Sequence, residues 1–296
     1  MNAHVLLSEF PSDAAGSSDG RSIGDIIRQT NNLSAEQVEK ILNYQLQEGV
    51  RFGEAAVALG FAKQEDVLWA LSQQFHYPYS NQATRKIGDE LVVATKPFSN
   101  QAEVFRAMRS EVLSKVFNAQ QPSAALAVIS PDTGDGKSYF AANIAASFSQ
   151  LGGRTLLIDA NMRHPRQHEI FSIPNISGLS GILSGRNESK VVHSVAELPS
   201  LHVMPAGVIP PNPLELLERP AFGLMIKELL KSFNHIIVDS PSASLGSDAR
   251  VLAAHCGSAL AVCRRDRTRA DAMHALLTPM SISSSIKLVG MVVNEF

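Results

Sequence analysis

Short apolar runs divide the chain into two stretches with different rhythms. From residue 101 onward, runs of strand length recur at Ala124 to Ile129, Thr155 to Ile158, Leu201 to Met204, His235 to Val238, Ser258 to Val262 and Leu288 to Val293. None alternates cleanly between apolar and polar, the pattern of strands buried on both faces of a parallel sheet. Helical stretches separate them, so the order predicts an α/β fold with a mostly parallel, doubly wound sheet over 101–296.

The earlier part is helical and repeats itself. Gly24, Val38, Leu42 and Gln45 recur 29 positions later as Gly53, Val67, Leu71 and Gln74. Each copy reads as a turn-bounded helix pair. Two copies are too few for a solenoid, so 21–82 is predicted as one small duplicated helical domain. Residues 1–20 carry Pro11, Gly16 and Gly20 but no Lys or Arg, and read as a mobile tail. The mixed polar stretch 83–100, with Pro97 and Ser99, reads as a linker.

Charge and cysteine content narrow the classes. A net charge of -2 gives no bulk electrostatic reason to expect nucleic acid as a partner. Cys256 and Cys263 are the only cysteines, both in apolar surroundings, which argues against a disulfide framework and fits a reducing cytoplasm. No apolar run is long enough to span a bilayer, and the N-terminus lacks a charged region followed by an apolar one. The expectation is a cytoplasmic protein that reaches a membrane only through a partner.

The decisive motif is Ile129-Ser130-Pro131-Asp132-Thr133-Gly134-Asp135-Gly136-Lys137-Ser138, placed between a buried strand and a helix. A loop opening a helix aims several backbone N–H groups at one spot, where the helix dipole also favours an anion. Gly134 and Gly136 permit close backbone approach to phosphates, Lys137 can reach the β- and γ-phosphates, and the Ser138 hydroxyl can ligate Mg²⁺. Pro131 stands where the usual P-loop has its first glycine. Two strands end in carboxylates, Asp159 and Asp239, at the edge where such sheets bind ligands. Asp239 is placed to hold Mg²⁺, directly or through water, and Asp159 to orient or deprotonate an attacking hydroxyl. A strand-end Asp that merely caps the next turn is the bland alternative for either one alone.

On these residues, 101–296 resembles the bacterial tyrosine kinases (BY-kinases), and most the chain-length-determinant kinases of exopolysaccharide clusters (EpsG type). Leu157-Ile158-Asp159-x-Asn161-x-Arg163-x-Pro165 is similar to the family's second Walker motif, and Asp239-Ser240-Pro241 to its Walker B. Pro205-Ala206-Gly207, Pro210-Pro211-Asn212-Pro213 and Glu215-Leu216-Leu217 match a further family signature. Glu103, Arg106 and Arg109 match its E-x-x-R-x-x-R helix, which implies oligomer contacts; a solvated charged helix is the alternative. The resemblance implies a P-loop NTPase fold and an ATP- and Mg²⁺-dependent transfer to a protein tyrosine. It also implies homo-oligomers and a membrane protein of the chain-length-determinant kind as activator. Nucleotide contacts fall on Thr133, Gly134, Asp135, Gly136, Lys137, Ser138, Tyr139 and Arg163, metal contacts on Ser138, Asp159 and Asp239, and catalysis on Lys137, Asp159 and Asp239.

The chain departs from the pattern at Asn161, where a second Asp is usual, at Ser242, and in ending at Glu295-Phe296 without a tyrosine-rich tail. Its tyrosines are Tyr44, Tyr77, Tyr79 and Tyr139. The cluster Arg264, Arg265, Arg267 and Arg269 either touches nucleotide or partner, or is a solvated helix start. The helical domain resembles the N-terminal domain of type II secretion and pilus ATPases, some of which bind cyclic di-GMP. That resemblance implies a dinucleotide site at Arg51, Gly53, Gly60 and Gln74, although Ser22 stands in the first copy for Arg51 and Asn31 for Gly60. A plain protein-docking module is the competing reading. Two rivals to the kinase remain: a partitioning-type ATPase, disfavoured because no lysine lies between Lys115 and Lys137, and a cyclic di-GMP-responsive regulator whose weak kinase domain only senses nucleotide.

Overall fold

A computed structural model describes residues 22–74, 87–117, 124–186 and 188–295. The expected tail, 1–20, and Tyr77 and Tyr79 lie outside the described residues. The chain forms two units, Met1–Arg85 and Lys86–Phe296.

The first unit holds α1 (Ile23–Thr30), α2 (Ala35–Glu48), α3 (Phe52–Ala58) and α4 (Gln64–Gln74). Its core consists of Ile26, Ile27, Leu33, Ile41, Ala55, Ala56, Ala62 and Ala70. These are four pairs at the repeat spacing: Ile26 with Ala55, Ile27 with Ala56, Leu33 with Ala62 and Ile41 with Ala70. The helix starts repeat too. Asp25 and Glu54 each accept the N–H of the residue three before, at Ser22 (3.3 Å) and Arg51 (2.9 Å). Gln37 and Asp66 do the same at Ser34 (2.9 Å) and Lys63 (2.8 Å). In the first copy the caps are reciprocal, Ser22 and Ser34 accepting the Asp25 and Gln37 N–H groups at 3.2 Å, and all four satisfy N–H groups that the helix itself cannot. Large residues in the first copy face alanines in the second. One core is therefore shared by the two copies, with α1 against α4 and α2 against α3.

The second unit runs α5 (Val92–Thr95), α6 (Asn100–Lys115), β1 (Ala125–Ile129), α7 (Lys137–Ser149), β2 (Thr155–Asp159), α8 (Gln167–Ile170), α9 (Leu179–Leu183), β3 (His193–Val195), β4 (Leu198–Met204), α10 (Pro213–Glu218), α11 (Pro220–Leu229), β5 (His235–Asp239), α12 (Asp248–Cys256), β6 (Gly257–Arg264), α13 (Ala270–Ile282) and β7 (Lys287–Asn294). The seven strands lie in the order β3-β4-β2-β5-β1-β6-β7, all parallel except β3, which pairs antiparallel with β4. Every residue of β1, β2 and β5 is buried, as expected for central strands covered on both faces. Ala141, Ala142, Ala145 and Ala146 give α7 a small-residue surface, so its axis can approach the sheet closely.

The stretch expected to be a linker, 83–100, is corrected from residue 87 onward. Ile87, Leu91, Val92, Val93 and Ala94 are buried in the core of the second unit. Asn143 of α7 binds this segment at both ends, accepting from the Val93 N–H (3.1 Å) and donating to the Glu90 carbonyl (2.9 Å). The apolar run Leu91-Val92-Val93-Ala94 is one turn long, too short to show helical periodicity, yet it fills a gap over α7.

Candidate nucleotide site

The loop Ser130–Gly136 joins β1 to α7, and the two glycines singled out in the sequence carry its unusual turns. Gly134 (φ 89°) and Gly136 (φ 92°) both lie in the left-handed region that disfavours any side chain. Helix α7 begins with no side-chain cap and no acidic residue in its first turn. Its first closing bond runs from the Phe140 N–H to the Gly136 carbonyl (2.9 Å), so the N–H groups of Lys137 and Ser138 have no acceptor within the helix. An uncapped helix start behind a glycine turn is an anion site.

Two neighbouring loops brace the P-loop. After β5, the N–H groups of Ala243 and Ser244 donate to the carbonyls of Ser130 and Pro131, each at 2.9 Å, and Ser242 shares a hydrogen bond with Thr133 (2.8 Å). After β6, the Thr268 hydroxyl donates to Asp135 Oδ1 (2.7 Å), while Asp135 Oδ2 accepts the Asp132 N–H (2.8 Å). The Asp135 side chain therefore stabilises the loop from inside and does not face a ligand. Among the arginines of the expected basic cluster, Arg265 pairs with Glu295 (2.7 Å) and Arg269 with Asp271 (2.7 Å). Arg267 lies over the loop, where a Cβ on Gly134 would stand 3.0 Å from its Nη1.

The two strand-end carboxylates meet. Asp159 and Asp239 are register partners on adjacent strands β2 and β5, and both are fully buried. Asp159 accepts three main-chain N–H groups, from Asn161 (3.1 Å), Arg166 (2.9 Å) and Gln167 (2.9 Å). Burial, and then the charge of Asp239, nevertheless raise its pKa above the carboxylate range. Burial raises Asp239 as well, against the opposing pull of Lys137, the Ser138 hydroxyl and the Gln167 amide. Lys137 is 6% exposed; desolvation lowers its pKa, while Asp239 and Asp135 help keep it charged. One cation and a buried carboxylate pair thus flank the uncapped helix start. Among the described residues, no group of three or more His, Cys, Asp or Glu is placed to hold a metal ion unaided.

Two expected site residues, Arg163 and Tyr139, and the departing residue Asn161 have side-chain partners within the fold. Arg163 makes a two-pronged pair with Asp248 (3.1 Å to each oxygen), because the fully buried Asp248 requires a cation partner. The Tyr139 hydroxyl accepts from Gln101 (2.8 Å), and its ring packs edge-on against Phe105 of α6; its side chain serves the helix interface. Asn161 closes a turn, donating to the His164 carbonyl (2.7 Å) and accepting the His164 N–H (3.1 Å). Of the charged helix triplet, Arg109 reaches the Ser147 carbonyl (2.7 Å) and Arg106 binds Glu103 and the Pro97 carbonyl, leaving Glu103 the most exposed of the three. The signature at Pro205-Ala206-Gly207 builds a main-chain clasp, with Leu179 and Ser180 donating to the Pro205 and Ala206 carbonyls at 2.9 Å.

In the helical unit, Gly53 is where α3 meets α4, since a Cβ there would lie 2.5 Å from Val67 Cγ1. Gly60 (φ 72°) makes the turn after α3, and the Arg51 N–H caps onto Glu54. The Gln74 side chain lies outside the described residues.

Gln167 is the residue that sequence reasoning missed. It is fully buried, and its Nε2 donates to Asp239 Oδ2 (2.8 Å) and to the Ser138 carbonyl (3.1 Å). Its only signal was position, two residues beyond Pro165 in the stretch following Asp159.

Glycine loop, uncapped helix and strand-end carboxylates together define a P-loop nucleotide-binding protein of the mostly parallel α/β class. No family model matches the chain. It is 37% identical over 163 residues to the putative tyrosine-protein kinase CapB of Staphylococcus aureus, covering 55% of this chain and 71% of that one. It is 32% identical over 194 residues to the tyrosine-protein kinase CpsD of Streptococcus agalactiae, covering 65% and 82%. Among solved structures, the chimerical protein CapA2B2 superposes with a TM-score of 0.64 at 30% identity, over 76% of this chain and 96% of that one. The chain belongs to the bacterial tyrosine-kinase family.

Proposed function

We propose that the protein is a tyrosine kinase that transfers the γ-phosphate of ATP to a protein tyrosine and acts in exopolysaccharide chain-length control and export, as kinases of the EpsG type do. The observation that carries the reading is the pairing of Asp159 with Asp239 beside Lys137 at an uncapped helix start. A divalent cation fits the site: Asp239 Oδ1 is buried without a hydrogen-bond partner, an oxygen in need of a positive ligand. Ser138 and Asp239 would hold Mg²⁺, and phosphate oxygens would complete its shell. The metal supplies charge neutralisation on the phosphates.

The chain's own groups supply the rest. Lys137 and the loop N–H groups orient the triphosphate, so that the tyrosine oxygen forms its bond to phosphorus in line as the bond to the β-phosphate oxygen breaks. A loose transition state asks little of a base. Asp159, with three N–H groups already on its oxygens, is assigned to metal and loop geometry ahead of direct proton removal. The tyrosine proton leaves to a carboxylate of the pair, through water, as ADP departs.

Among the described residues no helix is long and apolar enough to cross a membrane, and a membrane protein of the chain-length-determinant kind is the activator that the reading assigns. The chimera similar to this chain joins the names CapA and CapB, in keeping with a two-protein arrangement. Exposed Glu103 and Val104 on α6 support contacts between copies. In the helical unit, packing and turn geometry account for Gly53 and Gly60, so we assign that unit to protein docking ahead of cyclic di-GMP binding. The test is incubation with γ-labelled ATP, Mg²⁺ and a Glu-Tyr copolymer. Phosphotyrosine supports the kinase; free phosphate alone supports an ATPase and removes the kinase reading.

A further inference from the structure

Gln167 stands between the three parts of the site. Its main-chain N–H binds Asp159 Oδ2 (2.9 Å), while its side-chain Nε2 binds Asp239 Oδ2 (2.8 Å) and the Ser138 carbonyl (3.1 Å) at the first turn of α7. Both partners of the side-chain nitrogen are acceptors, so only the NH₂ end of the amide can lie there. The side chain is fully buried, and so is the carboxylate it grips. This grip has a consequence for Asp239. One oxygen is occupied by an amide donor, whereas the other, Oδ1, is buried with no hydrogen-bond partner. A carboxylate free to rotate would present either oxygen; a carboxylate clamped at Oδ2 presents Oδ1 alone.

We propose that Gln167 is the positioning residue for the divalent cation: it clamps Asp239 at Oδ2 so that Oδ1 is the oxygen offered to Mg²⁺ or to a water in its shell, and ties the carboxylate to the start of α7. The inference rests on the reading of the loop as a nucleotide site. Outer-shell hydrogen bonds of this kind change metal affinity by about 10–100-fold when removed. Gln167→Met keeps the length and bulk of the side chain and removes the donor.

The experiment measures ATP affinity of the full chain by calorimetry, in EDTA and in Mg²⁺, with melting curves to verify folding. The wild type is expected to bind ATP more tightly with Mg²⁺. In Gln167→Met the EDTA affinity should stay within about twofold, while the tightening by Mg²⁺ shrinks about 10-fold or more. The double variant Gln167→Met/Asp239→Asn should respond to Mg²⁺ as Asp239→Asn alone does, since Gln167 acts only through that carboxylate. An unchanged Mg²⁺ response in Gln167→Met overturns the proposal. Equal weakening with and without Mg²⁺ also overturns it, because it marks a purely structural role. If Gln167→Met does not fold, Gln167→Asn, too short to reach Asp239, is measured by the same criteria. A wild type that binds no ATP in either condition removes the nucleotide reading and this inference together. A wild type that responds to Mg²⁺ beside an equally responsive variant removes the inference alone.

Discussion

Asn161 stands where related kinases usually carry a second Asp, and its side chain gives a sharp test of why. In this fold the amide is used at both ends: Oδ1 accepts the His164 N–H (3.1 Å) and Nδ2 donates to the His164 carbonyl (2.7 Å), with the residue only 6% exposed. Asn161→Asp keeps the first bond and loses the second. It also places an anion against the His164 carbonyl and two positions from the buried Asp159. His164 is exposed, so its carbonyl loses a hydrogen bond worth about 0.5–1.5 kcal/mol, and burying the new charge at this 6%-exposed side chain brings the total to about 2–4 kcal/mol. For a unit of roughly 200 residues this lowers the melting midpoint by about 5–12 °C.

The effect must also depend on pH. When the introduced carboxyl is protonated it regains an O–H donor, so the folded state favours that form and raises the pKa of the new group. Stability from a raised pKa is complete below the unfolded value and is lost as pH rises through the folded one. The deficit of Asn161→Asp is therefore largest at pH 8 and shrinks toward pH 5. Calorimetric melting of wild type and variant at both values, following the transition of the larger unit, provides the assay. A variant as stable as wild type, or a deficit that does not change with pH, refutes the bridging role of the amide.

Three further outcomes follow from particular contacts. His235 is 8% exposed and packs at 4.7 Å from Phe148; burial lowers its pKa to about 4, so the unfolded chain binds its proton first as pH falls. Stability present above about pH 6.5 should decline by about 1–3 kcal/mol as pH drops toward 4, discounted for the wet edge of the ring, and chemical denaturation should show less of this decline in His235→Asn. Gly53→Ala should destabilise the helical unit by about 1–3 kcal/mol through its clash with Val67, and Val67→Ala should restore part of the loss. Trp69, the only tryptophan, reports that unit selectively by fluorescence. Arg163→Ala should cost about 3–5 kcal/mol by stranding the buried Asp248, with little change in ATP affinity; unaltered melting beside weakened ATP binding would return Arg163 to the nucleotide.

What was legible in the sequence was what local chemistry dictates. The strands at β1, β2 and β5 end within a residue of the predicted ends because uninterrupted burial leaves uninterrupted apolar runs. The glycine loop and both strand-end aspartates could be read because each must occupy a fixed offset from a strand. The edge strand β3 (His193–Val195) escaped because three residues, only Val195 of them buried, are too few to show a period. Long-range partners escaped for a different reason. The nucleotide roles of Arg163 and Tyr139 were implied by the family resemblance, whereas the side-chain partners the fold gives them, Asp248 and Gln101, lie 85 and 38 positions away, beyond the reach of a local motif. Gln167 was invisible on the same ground, because its significance is its bond to Asp239, 72 positions along the chain. Residues 87–95 were misassigned because a single buried turn has no pattern until the helix it covers is in place.

The central claim is that the loop from Gly134 to Ser138, with the Lys137 ammonium, cradles nucleotide phosphates. Titration calorimetry of ATP with Mg²⁺ into wild type and Lys137→Met tests it most directly. Replacing Lys137 with Met also removes the cation that opposes protonation of the buried Asp239, so melting curves accompany the titration to establish that the variant is folded. The account predicts one ATP per wild-type chain and an affinity at least about 100-fold weaker in the folded variant, the loss of about 3 kcal/mol for a buried charge-assisted contact. Equal ATP affinity in the two proteins would contradict it.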